Sequence, residues 1–454
     1  MSAQSRLDGS LEKSRSGRTA QSRYATSPDQ GRARQRAFVV AASPEPTDLA
    51  EMRELLRTAG VATVGEAVQI RDKPHPNLYL GPGKVDELAP LIKEADANLV
   101  VTDDELSPRQ ERNLEKQLEL PVLDRTAVIL DIFAGHAHSA EGKLQVELAQ
   151  LEYNMARMRG LWTHLERLGA GRGVGGIGTR GPGESQIETD RRLARDRITA
   201  LRRRLDHVRS NRAVQRAERE RAHLPSVALA GYTNAGKSTL LNALTGSEVG
   251  VRDRLFHTLD PTTRTTRGLR SSRPPRTYLV TDTVGFIRKL PHQLVDAFAA
   301  TLEETKRADL LLHVVDASPP EDELMQMTRA VDDVLEEIGV GDQPRILVLN
   351  KADVLDDDRR RELAFRHPEA VLVSALSGEG LDELQERIAD EFERTLRDVE
   401  LLVPFSEGGT LSELHDVAGE LDRTDTPEGV RIQARLPSVV ADRFNRYSVN
   451  GAGP

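Results

Sequence analysis

The first part of the chain alternates short apolar runs with amphipathic stretches, a pattern typical of a small α/β unit. The segments Phe38 to Ala42 and Ala97 to Thr102 are apolar runs of strand length. The segments Leu49 to Ala59 and Val85 to Glu94 repeat their apolar residues at helical spacing. We therefore predict that residues 36–140 form an N-terminal α/β subdomain.

Two local sequences in this subdomain carry glycine or proline signals. Ser107-Pro108 predicts a helix start, because the hydroxyl can cap free backbone N–H groups and proline at the first helical position loses no hydrogen bond. The segment Leu80 to Lys84 contains two glycines and a lysine but lacks the spacing of a phosphate-binding loop. We interpret it as a turn.

From Leu144 onwards the apolar residues follow a heptad repeat, with alternating steps of four and three. The first seam comprises Leu144, Leu148, Leu151, Met155, Met158, Trp162 and Leu165. The second seam comprises Ala194, Ile198, Leu201, Leu205 and Val208. Two such stripes can bury each other if their helices run antiparallel. We predict a long helical hairpin over residues 141–224.

The loop between the two seams, residues 169–183, contains eight glycines in fifteen residues. Glycine lets a backbone approach a partner closely, whereas a structural connection between antiparallel helices needs only about two to eight residues. Residues 157–221 also hold seventeen arginines and eight acidic residues, although the whole chain has a net charge of −9. A flexible linker is the simpler interpretation, but we favour an RNA-contacting hairpin. The candidate contacts are Arg172, Arg180, Arg191, Arg192 and Arg195.

A phosphate-binding loop is predicted after the apolar strand Ser226 to Ala230, where the pattern GxxxxGKS leads into a helical pattern. In such a loop, successive backbone N–H groups face the phosphates. Lys237 would supply a positive charge to the β and γ phosphates, and the Ser238 hydroxyl would ligate magnesium. The candidate loop residues are Gly231, Tyr232, Thr233, Asn234, Ala235, Gly236, Lys237 and Ser238.

A metal-binding turn is predicted after the apolar run Tyr278 to Val280. Asp282 can hold magnesium through a water molecule, and Gly285 can bring its N–H to the γ-phosphate. The candidate residues of this turn are Asp282, Thr283, Val284 and Gly285.

A guanine-recognition turn is predicted after the strand Ile346 to Leu349. Asp353 can accept hydrogen bonds from N1 and N2 of guanine, a pair of donors that adenine lacks. Asn350 would brace the surrounding loops, and Lys351 would cover the base. The candidate residues are Asn350, Lys351, Ala352, Asp353 and, after a later strand, Ser374, Ala375 and Leu376.

The motifs do not directly assign two parts of the catalytic machinery, the switch threonine and the group that orients water. A threonine before Asp282 should reach magnesium when γ-phosphate is present, and spacing leaves Thr258, Thr262 and Thr263 open. The residue after Gly285 is Phe286, where Ras-like GTPases place a glutamine that orients the attacking water. Phenylalanine cannot polarise water. We therefore predict slow intrinsic hydrolysis, with a partner or another residue completing the site.

Composition excludes several classes of protein. The chain has no cysteine, which excludes disulfides, thiolate metal sites and cysteine nucleophiles. No uninterrupted apolar stretch approaches the roughly 18 residues that cross a bilayer, so we expect no membrane insertion. Residues 1–35 lack the apolar core of a secretory signal, and we predict a disordered tail. A transit peptide is the less favoured interpretation, because Asp8 and Glu12 are unusual in such segments.

Taken together, these motifs resemble the HflX family of GTPases over roughly residues 36–437. The most specific element is the loop Gly178 to Glu184 with the following Gln186 to Arg192, which ordinary small GTPases lack. The resemblance implies a cytoplasmic, partly ribosome-associated monomer that binds GTP, GDP and Mg2+. It also implies docking on the 50S subunit, with large-subunit rRNA near the peptidyl-transferase centre, and splitting of stalled or idle ribosomes.

The resemblance further implies that Thr258 is the switch threonine and that hydrolysis is stimulated by the ribosome. Thr258 then joins Lys237 and Gly285 as a catalytic residue, and joins Ser238 and Asp282 as a metal ligand. The nucleotide-binding residues around it would be Phe256, His257, Thr258, Leu259 and Asp260.

The predicted fold class is α/β, with a P-loop GTPase domain over residues 225–398. The N-terminal subdomain and the hairpin precede it; a small α+β domain, residues 399–437, and a tail, residues 438–454, follow. An alternative function is a ribosome-assembly or hibernation factor that binds the large subunit without splitting ribosomes. A membrane-associated or RNA-modifying GTPase is disfavoured, because the sequence has no amphipathic membrane segment or cofactor motif.

Overall fold

The computed structural model describes eleven segments of the chain. They are residues 35–158, 182–221, 225–247, 255–256, 258–259, 261–267, 277–289, 299–341, 343–394, 396–418 and 421–449. Within this described part, the strands form three separate sheets.

The N-terminal sheet has four parallel strands in the order β2-β1-β3-β4. The strands are β1 Arg36–Ser43, β2 Ala62–Ile70, β3 Leu99–Thr102 and β4 Val122–Leu123. The helices are α1 Ala50–Ala59, α2 Pro82–Glu94, α3 Pro108–Leu118 and α4 Arg125–His136. Helices α1 and α4 cover one face, and α2 and α3 cover the other. Strand β1 therefore buries six consecutive residues, as a central parallel strand requires.

The starts of two of these helices test the local predictions. Ser107 caps α3 as predicted, and Gln110 completes a reciprocal capping box with it. The predicted turn at Leu80 to Lys84 is wrong, because Pro82 is the first residue of α2 and Gly81 is its extended N-cap. Proline at the first helical position satisfies the same rule in both helices.

Two long helices follow, α5 Ala140–Met158 and α6 Pro182–Arg221. The second seam is buried on α6 at Ala194, Ile198, Leu201 and Leu205. The described residues of the first seam are half-buried up to Met155, whereas another face of α5 is fully buried through Val146, Ala149 and Tyr153. Helix α5 thus packs between α4 and α6. Trp162, Leu165 and residues 169–181 of the predicted loop lie outside the described residues, and its last two residues begin α6.

Two ion pairs flank the contact between α5 and α6. Glu147 pairs with Arg197 at 2.6 Å, and Glu152 pairs with Arg202 at 2.8 Å. In the heptad register of the two seams, the first pair joins two g positions and the second joins two e positions. Pairing between like-lettered flanks is expected when two helices run antiparallel.

The central sheet has six strands in the order β10-β9-β8-β5-β7-β6, and β6 alone of these runs antiparallel to its neighbour. The strands are β5 Ser226–Gly231, β6 Thr262–Arg267, β7 Thr277–Asp282, β8 Leu310–Asp316, β9 Arg345–Asn350 and β10 Val371–Leu372. The helices are α7 Lys237–Thr245, α8 Ala299–Arg307, α9 Glu321–Glu337, α10 Asp357–Arg366 and α11 Leu381–Arg394. The predicted motifs follow β5, β7 and β9 at their carboxyl ends, where ligands bind in open α/β sheets.

The third sheet is antiparallel, in the order β11-β13-β12. Its strands are β11 Leu396–Val403, β12 Leu421–Thr426 and β13 Gly429–Pro437, with helices α12 Gly408–Ala418 and α13 Ser438–Arg443. Two sequence boundaries differ from this arrangement. Strand β11 crosses the predicted boundary after residue 398, and the predicted tail from residue 438 contains α13, Phe444 and Tyr447, which pack into the core of this sheet.

Within the described part of the chain, no helix combines the length and the apolar character needed to span a bilayer.

Candidate nucleotide site

The phosphate loop follows β5. Two of its glycines have no room for a side chain. A Cβ on Gly231 would lie 2.1 Å from the carbonyl oxygen of Val314 on β8. Gly236 has φ +90°, and a Cβ there would lie 2.2 Å from Nδ2 of Asn350. The loop therefore packs closely on β8 at Gly231 and on the end of β9 at Gly236, which only glycine permits at these positions.

Lys237, at the start of α7, is folded back over this loop. Its Nζ donates to the carbonyl oxygens of Gly231 at 3.0 Å and Tyr232 at 2.8 Å. Burial lowers the pKa of the Lys237 ammonium to about 8, although the nearby carboxylate of Asp282 favours the charged form. The lysine is thus held inside the loop that the motif assigns to phosphate.

Three oxygen-bearing side chains converge beside Lys237. The Ser238 hydroxyl donates to Asp282 Oδ2 at 2.6 Å, and its oxygen lies 2.8 Å from Thr258 Oγ1. Asp282 Oδ1 is buried and has no hydrogen-bond partner among the described residues. Burial raises the pKa of the Asp282 carboxyl, while Lys237 and Ser238 lower it. Hydroxyl and carboxylate oxygens are the ligands that Mg2+ prefers, so these residues fit the predicted metal site.

The three threonine candidates occupy different positions. Only Thr258 lies beside Ser238. Thr262 and Thr263 are in β6, and Thr263 Oγ1 lies 3.0 Å from Thr281 Oγ1 in the adjacent strand. The geometry therefore favours Thr258, in agreement with the family resemblance.

The other predicted residues around Thr258 divide into two groups. Phe256 and Leu259 are buried in the core that includes α4. The Phe256 ring packs edge-to-face on Phe133 at 4.6 Å, and its carbonyl oxygen lies 2.8 Å from His136 Nδ1. The Phe256 side chain is therefore an anchor to the N-terminal subdomain, a role that the motif did not predict. His257 and Asp260 lie outside the described residues.

Asn350 joins two loops of the predicted base site. Its Nδ2 donates to the carbonyl oxygen of Ala235 at 2.8 Å, and its Oδ1 accepts from the Ala375 N–H at 3.0 Å. The amide is buried, so both bonds are shielded from water. The bracing contact predicted for Asn350 is present.

The predicted guanine-reading carboxylate, Asp353, lies at the surface and is held by a hydrogen bond. Asp353 Oδ1 accepts from the buried Ser374 hydroxyl at 2.6 Å. Lys351, which has φ +69°, pairs with Asp316 at 2.6 Å. Leu376 is 81% exposed and open to a ligand. Sequence reasoning missed Asp316, although it closes the apolar strand β8 in the same way that Asp282 closes β7.

Phe286 is 2% exposed, and its ring belongs to the core shared with the N-terminal subdomain. Its backbone pairs with the phosphate loop, because its N–H donates to the Gly231 carbonyl at 3.1 Å and its carbonyl accepts from the Thr233 N–H at 2.7 Å. The position that would hold a water-orienting glutamine is therefore occupied by a buried apolar side chain.

The RNA-contact candidates are only partly described. Arg192 and Arg195 are exposed on α6, and Arg191 is half-buried. Arg172 and Arg180 lie outside the described residues.

Comparison with known proteins identifies the family. Residues 46–134 match the family described as GTP-binding GTPase N-terminal, residues 136–219 its Middle Region, and residues 226–351 the 50S ribosome-binding GTPase family. GTPase HflX of Lacrimispora saccharolytica is 46% identical over 405 residues, or 87% of this chain and 93% of the relative. The chain belongs to the GTPase HflX family.

A second HflX protein and one solved structure are also similar to this chain. GTPase HflX of Escherichia coli strain K12 is 44% identical over 398 residues, or 86% of this chain and 90% of the relative. A crystal structure of a GTP-binding protein from the hyperthermophilic archaeon Sulfolobus solfataricus with GDP is 25% identical. It covers 79% of this chain and 98% of its own, with a TM-score of 0.39. As a member of the HflX family with a P-loop GTPase domain, the protein is an enzyme that hydrolyses GTP.

Proposed function

We propose that this HflX GTPase docks on the 50S ribosomal subunit in its GTP-bound form and promotes the splitting of stalled or idle ribosomes. The observation that carries the proposal is the match of residues 226–351 to the family described as 50S ribosome-binding GTPase. The arginine-rich helix α6 supports it, because exposed cations such as Arg192 and Arg195 favour contact with RNA phosphates.

The nucleotide would be held by the residues at the carboxyl ends of β5, β7 and β9. Backbone N–H groups of the phosphate loop and Lys237 would bind the phosphates. Asp353, held by Ser374, would select guanine, and Lys351 would cover the base. Ser238 and Thr258 would ligate Mg2+ directly, and Asp282 through water; the bound ion would neutralise charge on the β and γ phosphates.

The switch in this proposal lies in the segments around Thr258 and Gly285. Gly285 can contact the γ-phosphate, and Thr258 the Mg2+ ion beside it, only while GTP is bound. Hydrolysis therefore releases both segments. Because Phe286 is buried and cannot orient water, hydrolysis by the isolated protein is slow and the ribosome supplies or positions the missing group. The protein acts as a monomer in the cytoplasm, partly bound to ribosomes.

The proposal is tested by measuring GTP hydrolysis with and without purified 50S subunits. The intact chain is compared with a variant in which residues 169–183 are replaced by a short Gly-Ser linker. Arg423→Ala, on the exposed pair with Asp425 in the third sheet, is the control substitution. Strong stimulation of the intact chain and the control, but not of the linker variant, is the expected result. Absence of stimulation in all three proteins would refute ribosome docking.

Sedimentation of intact ribosomes with the protein and GTP separates splitting from the alternative. A splitting factor converts joined ribosomes into subunits, and this conversion is the expected result. A ribosome-assembly or hibernation factor would bind the 50S subunit and leave the joined particles intact.

A further inference from the structure

One carboxylate of the N-terminal subdomain reaches the nucleotide site. Glu51 lies in the first turn of α1, and its side chain is 10% exposed. It accepts hydrogen bonds from the Arg125 guanidinium, from the Tyr232 hydroxyl and from Arg288 Nε at 3.0 Å. Tyr232 is the second residue of the phosphate loop, and Arg288 follows Gly285 by three residues. Helix α1, which covers one face of the N-terminal sheet, thus contacts both the phosphate loop and the segment after the metal-binding turn.

The segment after the metal-binding turn runs along the phosphate loop in a short ladder of three hydrogen bonds. Phe286 makes the first two bonds, with Gly231 and Thr233. The Arg288 N–H makes the next bond, donating to the Tyr232 hydroxyl at 2.9 Å. The buried glutamate therefore holds the far end of this ladder twice, through the Arg288 side chain and through the tyrosine hydroxyl.

Gly285 lies where the ladder begins. A Cβ at this position would lie 2.7 Å from Thr233 Cγ2 and 3.1 Å from Lys237 Nζ. The segment thus approaches the loop as closely as glycine allows. The position of Gly285 relative to Lys237 decides how well its N–H meets a γ-phosphate, which GTP carries and GDP lacks.

The glutamate is itself held in place by a buried arginine. The Arg125 side chain is 2% exposed, and its Nη1 donates to Asp103 Oδ1 at 2.8 Å. Its Nη2 donates to Glu51 and to the carbonyl oxygen of Arg288 at 2.9 Å. Arg125, Glu51 and Arg288 therefore form one network, in which Arg125 and Glu51 are largely desolvated, Arg288 is 37% exposed, and several hydrogen bonds fix the geometry.

We propose that Glu51 is a positioning residue of the GTPase site. It fixes the segment from Gly285 to Arg288 against the phosphate loop, so that the Gly285 N–H is pre-organised for the γ-phosphate. The inference rests on the proposed contact between Gly285 and the γ-phosphate. A group ordered before binding loses less conformational entropy on binding, so pre-organisation raises affinity for GTP and leaves affinity for GDP unchanged.

The experiment measures the Kd of GDP and of a non-hydrolysable GTP analogue with Mg2+, using the full chain. Glu51→Gln keeps the size of the side chain and removes its charge, and Tyr232→Phe removes only the hydroxyl. For each variant, affinity for the analogue should fall roughly tenfold, the size of one lost charge-assisted hydrogen bond, while affinity for GDP stays within about twofold. Glu54→Gln is the matched control, because Glu54 pairs with Arg57 on the surface of the same helix.

Gly285→Ala tests the underlying contact separately. If this variant binds the analogue as well as the wild type does, the γ-phosphate contact itself is wrong. If it loses affinity but Glu51→Gln and Tyr232→Phe do not, only the positioning role fails. Equal losses for GDP and the analogue in Glu51→Gln would also overturn the role, since a purely structural defect affects both nucleotides. Tyr232→Phe preserves all charges and keeps the test available if Glu51→Gln does not fold.

Discussion

Asp124 and Arg125 are adjacent at the start of α4, and their side chains serve different parts of the molecule. Asp124 is fully buried; its Oδ2 accepts from Arg157 on α5 at 2.5 Å and its Oδ1 accepts from the Tyr153 hydroxyl at 2.7 Å. Arg125 instead donates to the carbonyl oxygen of Arg288, beside the nucleotide site. One helical turn thus contacts both a long helix and the segment that follows the metal-binding turn.

Replacing Arg157 should destabilise the contact between α4 and α5. Arg157 also pairs with Glu111 at 2.7 Å and lies over the Tyr153 ring, with its guanidinium carbon 3.4 Å from the ring centroid. Arg157→Met keeps much of the apolar bulk but leaves Asp124 and Glu111 buried without their cation. Breaking a buried pair in this way costs about 3–5 kcal/mol. Urea unfolding followed by circular dichroism should show the loss as a lower transition midpoint.

Arg202→Met is the matched control for this substitution. Its pair with Glu152 joins the same long helix α5 to α6, but the Arg202 side chain is 65% exposed. Such a surface pair contributes roughly 0–1 kcal/mol, so the midpoint should change little. Equal effects of the two substitutions would contradict the importance of the buried Asp124 network.

Asp282→Asn should weaken the coupling between GTP and Mg2+. The substitution replaces the carboxylate that accepts the Ser238 hydroxyl, and removes the charge that would hold a metal-bound water. The Mg2+ concentration for half-maximal GTP hydrolysis should rise by roughly tenfold or more, because one charged partner of the ion is lost. Asp309→Asn is the control, since Asp309 caps the amino end of β5 through Ser226. An unchanged Mg2+ requirement in Asp282→Asn would refute the metal site.

Asp353→Asn should change the base specificity. An amide can accept only one of the two guanine donors, and its NH2 group would face the other. Affinity for GTP should therefore fall by about 10²-fold, whereas affinity for xanthosine triphosphate, whose ring carries an acceptor at that position, should rise. The Ser374 hydroxyl can still donate to the new side chain, so its orientation is kept.

Competition between the two triphosphates for a fluorescent nucleotide measures this exchange. Asp358→Asn, on the exposed pair with Arg361 in α10, should leave the preference for GTP intact. If Asp353→Asn also keeps its preference for GTP, another residue reads the base.

The nucleotide motifs could be predicted from sequence because each is local. A buried strand that ends in a loop with the required glycines or carboxylate places its side chains at one edge of a parallel sheet. Asn350 shows how far this reasoning extends: its strand and its turn are both legible, and its two bonds follow from the meeting of neighbouring loops. Identifying Thr258 as the switch threonine requires the structure or the family resemblance, because spacing alone does not separate it from Thr262 and Thr263.

The contacts of the N-terminal subdomain with the GTPase site had no sequence signal. Glu51 is separated from Tyr232 by 181 residues and from Arg288 by 237 residues, and no periodicity relates them. The family motif places Phe256 among the nucleotide-binding residues, yet its ring packs edge-to-face on Phe133 in the core. Strand β12 has no sequence signal for a different reason: its sequence LDRTDT is mostly exposed at a sheet edge and lacks the apolar alternation that predicts a strand.

His313 should make the stability of the central sheet depend on pH. It lies on β8, is 3% exposed, and its Nε2 has no hydrogen-bond partner among the described residues. Burial lowers the pKa of His313 to about 4, and the positive charges of Arg345 and Lys237 act in the same direction. The Asp332 carboxylate, whose Oδ1 lies 3.6 Å from His313 Nδ1, raises this pKa but does not offset the burial. The folded state therefore favours the neutral ring. The full folding stability is present above about pH 6.5, the pKa of histidine in the unfolded chain.

As the pH falls from about 6.5 towards 4, the unfolded chain takes up a proton that the folded chain refuses, so stability is lost. Between pH 7.5 and pH 5 the loss due to His313 is on the order of 2 kcal/mol. Urea midpoints measured across this range should fall more steeply for the wild type than for His313→Leu, while His415→Gln, at an exposed histidine of α12, should behave as the wild type does. Parallel curves for the wild type and His313→Leu would show that other groups cause the pH dependence, because only His313 differs between these two chains.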